Sequence, residues 1–165
     1  WHLYNFRQLP KLARLKSPKF VFAHFVLPHS PYVFDRHGNI LSRVYRENMW
    51  DKQRYDYADA KAYRDQLIFT TRMIGTAIAE ILKNSETPPI LIVQADHGMN
   101  LLVEKPDRVA RGVRHAIFSS YYFPDGDYSR LYDSISPVNS FRVVLNQYFG
   151  ENLPLLKDES FFTGT

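Results

Sequence analysis

The sequence predicts an α/β fold, a layered sheet of mainly parallel strands with flanking helices. Three observations carry this reading. They are a β-branched and aromatic run at 19–26, a long amphipathic helical pattern at 49–84, and a second apolar run at 90–95. A strand, a long crossover helix and another strand imply a parallel pair with a right-handed connection.

Taken in order, LYNFRQLPKLARLK at 3–16 places Leu3, Phe6, Leu9, Leu12 and Leu15 at helical spacing, with Pro10 at a turn or kink. KFVFAHFV at 19–26 reads as a buried strand that ends in LPHSPYVFDRHGN, a loop marked by two prolines and by Asn39 after Gly38. Over 49–84, Tyr63, Leu67, Thr70, Ile74, Ile78, Ile81 and Leu82 share one helix face, and Arg64, Asp65, Arg72 and Glu80 take the other. Asn84-Ser85 and then Pro88-Pro89 stop this helix before the strand at 90–95. HAIFSSYYF at 115–123 predicts a further strand. SPVNSFRVVLNQYFG predicts a helix with Ser136 as N-cap, Pro137 at the first helical position and Gly150 just past the end. Its expected apolar stripe is Val138, Phe141, Val144, Leu145 and Tyr148. Three strands make a thin sheet, and parallel sheets are covered on both faces, so the sheet is expected to continue elsewhere.

Composition narrows the function classes. The 165 residues suit one domain, with 45% hydrophobic and 23% charged residues, 11 Tyr and 12 Phe. The net charge of +4 is scattered, with no run of five basic residues, which argues against nucleic acid as partner and suits an anionic substrate or a membrane face. The absence of cysteine excludes disulfides, thiolate zinc sites and cysteine nucleophiles. No apolar run approaches 18 residues, so nothing in the sequence reads as a membrane span. No Gly-rich phosphate loop appears, which counts against a small nucleotide-binding protein. The sequence carries no signature of an oligomeric state.

The chemistry concentrates in ILIVQADHGMN, 90–100, where an apolar strand ends on a carboxylate and an imidazole. Burying such a pair is costly without a partner. In open α/β sheets ligands bind beyond the carboxyl ends of strands, and Asp96 and His97 fall there. His24 and His29 fall at or beyond the same end of the 19–26 strand, so a parallel pair would let all four converge. Carboxylate and imidazole suit Zn²⁺ or Mn²⁺, and a metal would offset the desolvation of the pair. Gly98 would let the chain turn sharply enough to aim both neighbours at one point. Alone, each feature has a plainer reading: Asp-His-Gly as a loop or cap, His24 as a core histidine, PHSP as a rigid loop. The combination carries the weight. His37 and His115 lack partners in the sequence and read as structural.

PKFVFAHFVLPHSPYVFDRHGN, the long helix, PPILIVQADHG and SPVNSFRVVLNQYFGENLPLL together resemble the C-terminal part of the sulfatase-like branch of the alkaline phosphatase superfamily. The likeness is to bacterial membrane-anchored sulfatase-like proteins, whose relatives include lipoteichoic acid synthases and lipid A phosphoethanolamine transferases. It implies an alkaline-phosphatase-like fold and a metal-dependent hydrolase or transferase of phosphate or sulfate esters. Asp96 and His97 match the family's paired metal ligands. His24 and His29 match histidines that in phosphoethanolamine transferases line the site and approach the substrate or a second metal, a catalytic role, with His29 also resembling a substrate contact of the lipoteichoic acid synthases. Arg111 and Arg114 are expected to meet the anion after the loop 99–114. The family's nucleophile is a Thr, a Ser or a modified Cys after a strand and before a helix. None of Thr70, Thr71, Thr76, Thr87, Thr163 or Thr165 is so placed. A catalytic zinc also takes three protein ligands rather than two.

Residues 1–165 are therefore expected to form a single C-terminal subdomain of a sulfatase-like catalytic domain, without its nucleophile half and inactive in isolation. The resemblance further implies a lipid- or glycan-linked anionic ester as substrate, membrane helices upstream, and a place on the extracytoplasmic face of a bacterial cytoplasmic membrane, in the periplasm or at the cell surface. A non-catalytic binding or regulatory module that kept the fold is the alternative.

Overall fold

The computed structural model describes residues 1–42, 57–99 and 108–161, without the side chains of 57–59 and 108–111. The chain divides into two compact units, Trp1–Pro88 and Pro89–Thr165. Each is built around its own core.

In the first unit, α1 (His2–Gln8) runs into a 3₁₀ helix (Leu9–Arg14). Pro10 stands in its first turn, where the missing N–H costs no helical hydrogen bond. The long helix α2 (Tyr57–Asn84) follows; the expected helical stretch before Tyr57 lies outside the described residues. Phe6, Leu27, Phe34 and Phe69 form the core, with Leu3, Phe25, Met73 and Ile74 packed against it. The Phe6 and Phe25 rings stack at 4.3 Å.

Two expectations need correction in this unit. Residues 19–26 form no strand, and Phe20 and Phe22 are 77% and 80% exposed. β-propensity supplies no ladder partner, and without one the run stays irregular. The buried face of α2 also differs in part from the one expected: Thr70 is buried and Ile74 packs on the core as expected, but Asp65 is buried and Leu67 is not. Ala62, Asp65, Gln66, Phe69, Thr70 and Ala77 are buried, whereas Leu67 is 37% exposed. Polar partners on the loop, and Lys61 one turn back on the helix, accompany this. Arg36 and Lys61 both donate to Asp65, at 2.6 and 2.8 Å. The fully buried Gln66 carboxamide accepts from the N–H groups of Val33 and Phe34 and donates to the carbonyls of Pro28 and His29. The loop 28–34 is thereby fastened to the helix by one side chain. Beyond it the chain reverses at Asp35–Asn39, where the Asp35 carboxylate accepts from the His37 and Asn39 N–H groups and Gly38 adopts φ +92°.

The second unit holds β1 (Leu91–Gln94), α3 (Arg108–His115), β2 (Ser119–Tyr122) and α4 (Pro137–Tyr148). β1 and β2 pair antiparallel, Leu91 opposite Tyr122 and Gln94 opposite Ser119. The third strand expected at 115–123 is thus shorter than its apolar run, because His115 closes a helix instead. Phe123, Val143 and Val144 form the core, with Ile90, Ile92, Leu131 and Tyr148 against it.

Helix α4 begins and ends where Ser136, Pro137 and Gly150 place it, with Gly150 at φ +70°. Its buried face differs from the expected stripe. Asn139 and Ser140 are fully buried, whereas Val138 and Phe141 are 45% and 48% exposed. The chain after the helix returns and bonds to it: Asn139 pairs with both the N–H and the carbonyl of Leu156, and Asn146 does the same with Leu153. Two asparagines seven apart thus act as lateral backbone partners for 153–156. Ser136 does not cap with its hydroxyl, which donates instead to Asp158 at 2.5 Å.

Two carboxylates respond to these networks. Bonds from Lys61 and then Arg36 hold Asp65 at about 2, and bonds from Ser136 and Tyr132 hold Asp158 at about 2, both below the usual 3.8. A carboxylate depressed in the folded state contributes stability above its unfolded value, and this is lost as pH falls through the folded one. Both units should therefore lose stability between about pH 4 and pH 2. Urea unfolding at pH 6 and pH 3 checks this. Asp65→Asn should flatten the acid loss of the first unit and Asp158→Asn that of the second, and an unchanged slope in either variant counts against that network.

Among the described residues no helix is long and apolar enough to cross a membrane.

Candidate functional site

The end of β1 is held by main-chain bonds on both sides of the Asp-His pair. The Ala95 N–H donates to the Phe118 carbonyl at 2.9 Å, continuing the β1–β2 register for one residue. The Gly98 N–H donates to the Arg114 carbonyl at 2.7 Å, satisfying one of the unpaired carbonyls at the C-terminus of α3. Gly98 is required by this approach rather than by its dihedrals. A Cβ there would overlap the Val113 carbonyl oxygen and lie 2.8 Å from that of Ala116. Side chains brace the same strand end from behind: Ser140 donates to Gln94 at 2.8 Å and meets the Tyr121 hydroxyl at 2.7 Å.

On this scaffold Asp96 and His97 stand side by side, with the Asp96 Oδ2 at 3.5 Å from the His97 Nε2. The Asp96 side chain is 82% exposed and that of His97 35%. The expected desolvation of the pair is therefore absent, and a metal is not needed to offset it. Arg114, from the last turn of α3, places Nη1 2.5 Å from the His97 Nδ1. The same Nδ1 lies 2.8 Å from the Gly98 carbonyl, which Arg114 Nη1 also approaches at 3.4 Å.

The residues present fit part of a metal site. Two ligand atoms on a tetrahedral zinc, each at about 2.1 Å, stand roughly 3.4 Å apart. The 3.5 Å between Nε2 and Oδ2 matches that edge. The Gly98 carbonyl supplies the outer partner that a ligating imidazole takes through its other nitrogen. Among the described residues no group of three or more His, Asp or Glu side chains is placed to hold a metal.

The structure brings together Asp96, His97 and Arg114 of the second unit. His24 and His29 belong to the first, where both are exposed. The His29 Nδ1 donates to the Ser30 carbonyl at 2.6 Å, and the His29 carbonyl accepts from Gln66. The backbone of Arg111 lies in α3, but its side chain lies outside the described residues. His37 presents its N–H to Asp35 with its ring exposed, and His115 ends α3 at the rim of an open groove of about 560 Å³. Of the threonines within helices, Thr70 and Thr76 turn their hydroxyls back onto the carbonyls of Gln66 and Arg72.

Sequence reasoning missed Gln66, which fastens the loop that carries His29, and Ser140, which braces β1. Polar residues within an amphipathic helix look solvated until their partners are known. The one legible hint was their place beside apolar core positions on the same face.

No protein family, no curated protein and no solved structure matches the chain.

Proposed function

We propose that this chain supplies metal ligands and an anion contact to a metal-dependent hydrolase or transferase of phosphate or sulfate esters. The observation that carries the reading is the Asp96–His97 pair, whose ligand atoms stand at the edge length of a zinc tetrahedron. Bound there, a Zn²⁺ or Mn²⁺ would supply Lewis-acid neutralisation of a non-bridging oxygen. His97 would ligate through Nε2 with Nδ1 donating to Gly98, and Asp96 would ligate through Oδ2. Arg114 is near enough to this pair to contact the anion. Arg111 is carried by the resemblance alone, as are the roles of His24 and His29 in binding the transferred group or protonating the leaving oxygen.

Two ligands are one short of a catalytic zinc set, and the helical threonines Thr70 and Thr76 are turned onto their own helix. On this reading a further ligand and a nucleophile are required besides Asp96 and His97. A lipid- or glycan-linked ester as substrate and an extracytoplasmic location rest on the resemblance and on nothing in the geometry.

Zinc titration by calorimetry on this chain tests the reading. We expect weak one-to-one uptake that disappears in Asp96→Ala and in His97→Ala, with circular dichroism unchanged because Asp96 faces solvent and neither side chain belongs to the core of the unit. Uptake that survives both substitutions, or no uptake by the parent chain, rejects the site.

A further inference from the structure

We propose that the surface formed by α1, the 3₁₀ helix and residues 14–24 docks on an anionic phospholipid bilayer. The surface belongs to the first unit, and the proposal does not depend on the metal reading above.

Charge is the first observation. Residues 1–34 hold five of the 21 Lys and Arg, at Arg7, Lys11, Arg14, Lys16 and Lys19, and none of the 17 Asp and Glu. The net charge of +4 therefore arises in this stretch, and the remainder of the chain is nearly neutral. No basic run is needed, because acidic residues are missing. Among the described residues no carboxylate pairs with any of the five cations. Arg14 and Lys19 bond to uncharged oxygens, the Asn84 carboxamide at 2.8 Å and the Ala13 and Leu15 carbonyls at 3.1 and 2.7 Å. Their charge is not cancelled.

Apolar exposure lies among these cations. Residues 14–24 are exposed without a break, Leu15, Phe20, Val21 and Phe22 among them, and Trp1, Tyr4 and Val26 are exposed beside them in the chain. The run 19–25 is pinned at both ends. Lys19 sits on the carbonyls that close the 3₁₀ helix, and the Phe25 ring stacks on Phe6 of α1. The segment between them therefore lies beside the two helices, and rings and cations share one patch. Contiguous apolar exposure rimmed by charge marks an interaction site.

A bilayer answers both features. Lipid phosphates meet the cations, and the boundary between headgroups and acyl chains takes up aromatic and aliphatic side chains alike. A single-stranded nucleic acid would meet the cations and stack on the rings, but it would leave Leu15, Val21 and Val26 in water. No described helix could cross the membrane, so the chain adsorbs to its surface.

Co-sedimentation of the whole chain with vesicles tests this, comparing phosphatidylcholine alone with its equal mixture with phosphatidylglycerol. Binding should favour the mixture and weaken as salt rises. Lys11→Gln combined with Lys16→Gln should weaken it roughly 25-fold, at roughly fivefold per cation. Phe22→Ser should weaken it roughly tenfold. Both variants should unfold in urea like the parent, because all three side chains are exposed. In Phe22→Trp, brominated acyl chains should quench the added emission, which contact with headgroups alone would not produce. No binding, equal binding to both vesicles, variants that bind like the parent, or absence of quenching overturns the proposal. Tighter binding to poly-dT than to the mixed vesicles, lost in the same variants, also overturns it and assigns the surface to nucleic acid.

Discussion

Gln66→Leu should cost the first unit about 3 to 5 kcal/mol, a large share of the stability of a small domain. The side chain is fully buried and all four of its contacts are to main chain, the N–H groups of Val33 and Phe34 and the carbonyls of Pro28 and His29. Leucine fills the volume and serves none of them. Four backbone groups lose their partner together, and each buried orphan costs more than the net value of the bond it lost. Gln66→Glu should fare little better, since a carboxylate keeps the two acceptor bonds, loses both donor bonds and places a charge in a site closed to water. Chemical denaturation measures the loss, and amide exchange at Val33 and Phe34 localises it. A change below about 1 kcal/mol, or exchange that quickens elsewhere first, would show that the loop 28–34 holds itself.

The consequence for the proposed site is specific. The loop that Gln66 fastens carries His29, so a variant that loosens it while α2 stays folded should alter His29 before it alters Asp96 or His97. Those two belong to the other unit and are braced by Gly98, Ser140 and Phe118.

What could be read from the sequence divides along physical lines. The ends of α4 were legible because Ser136, Pro137 and Gly150 act on the three or four residues beside them. The strand β1 was legible because its apolar run is bounded by prolines on one side and by Asp-His-Gly on the other. The buried faces were not. Asn139 is inside because Leu156 returns to it, and Gln66 is inside because Pro28 to Phe34 lie across it. These partners lie 17 and 32 to 38 residues away, beyond the reach of any periodicity. The run at 19–26 failed differently: its propensity is that of a strand, but a strand exists only with a neighbour. For the site, the pairing of Asp96 with His97 and the presence of Arg114 could be anticipated, whereas the contact between Arg114 and Nδ1 could not. That contact depends on α3, which the sequence hid within the loop read at 99–114.

Gly98→Ala should be the most damaging single change at the strand end, costing about 2 to 4 kcal/mol and removing zinc uptake together. A methyl group at this position overlaps the Val113 carbonyl and crowds that of Ala116, and both obstacles are main chain. No rotamer relieves such a contact, so α3 must separate from residue 98. Separation breaks the bond from the Gly98 N–H to the Arg114 carbonyl, and with it the geometry that keeps Arg114 and the Gly98 carbonyl at the His97 Nδ1. The imidazole then loses the outer partner that aims Nε2 beside the Asp96 Oδ2. Gly75→Ala is the control, because a Cβ on the exposed face of α2 meets nothing within 4 Å, and alanine there should be neutral or slightly stabilising. Comparing the two variants by urea unfolding and by zinc titration separates a steric requirement at Gly98 from a general intolerance of the added methyl. If Gly98→Ala keeps both its stability and its zinc, α3 does not lean on the strand end, and the site must be organised by Asp96 and His97 alone.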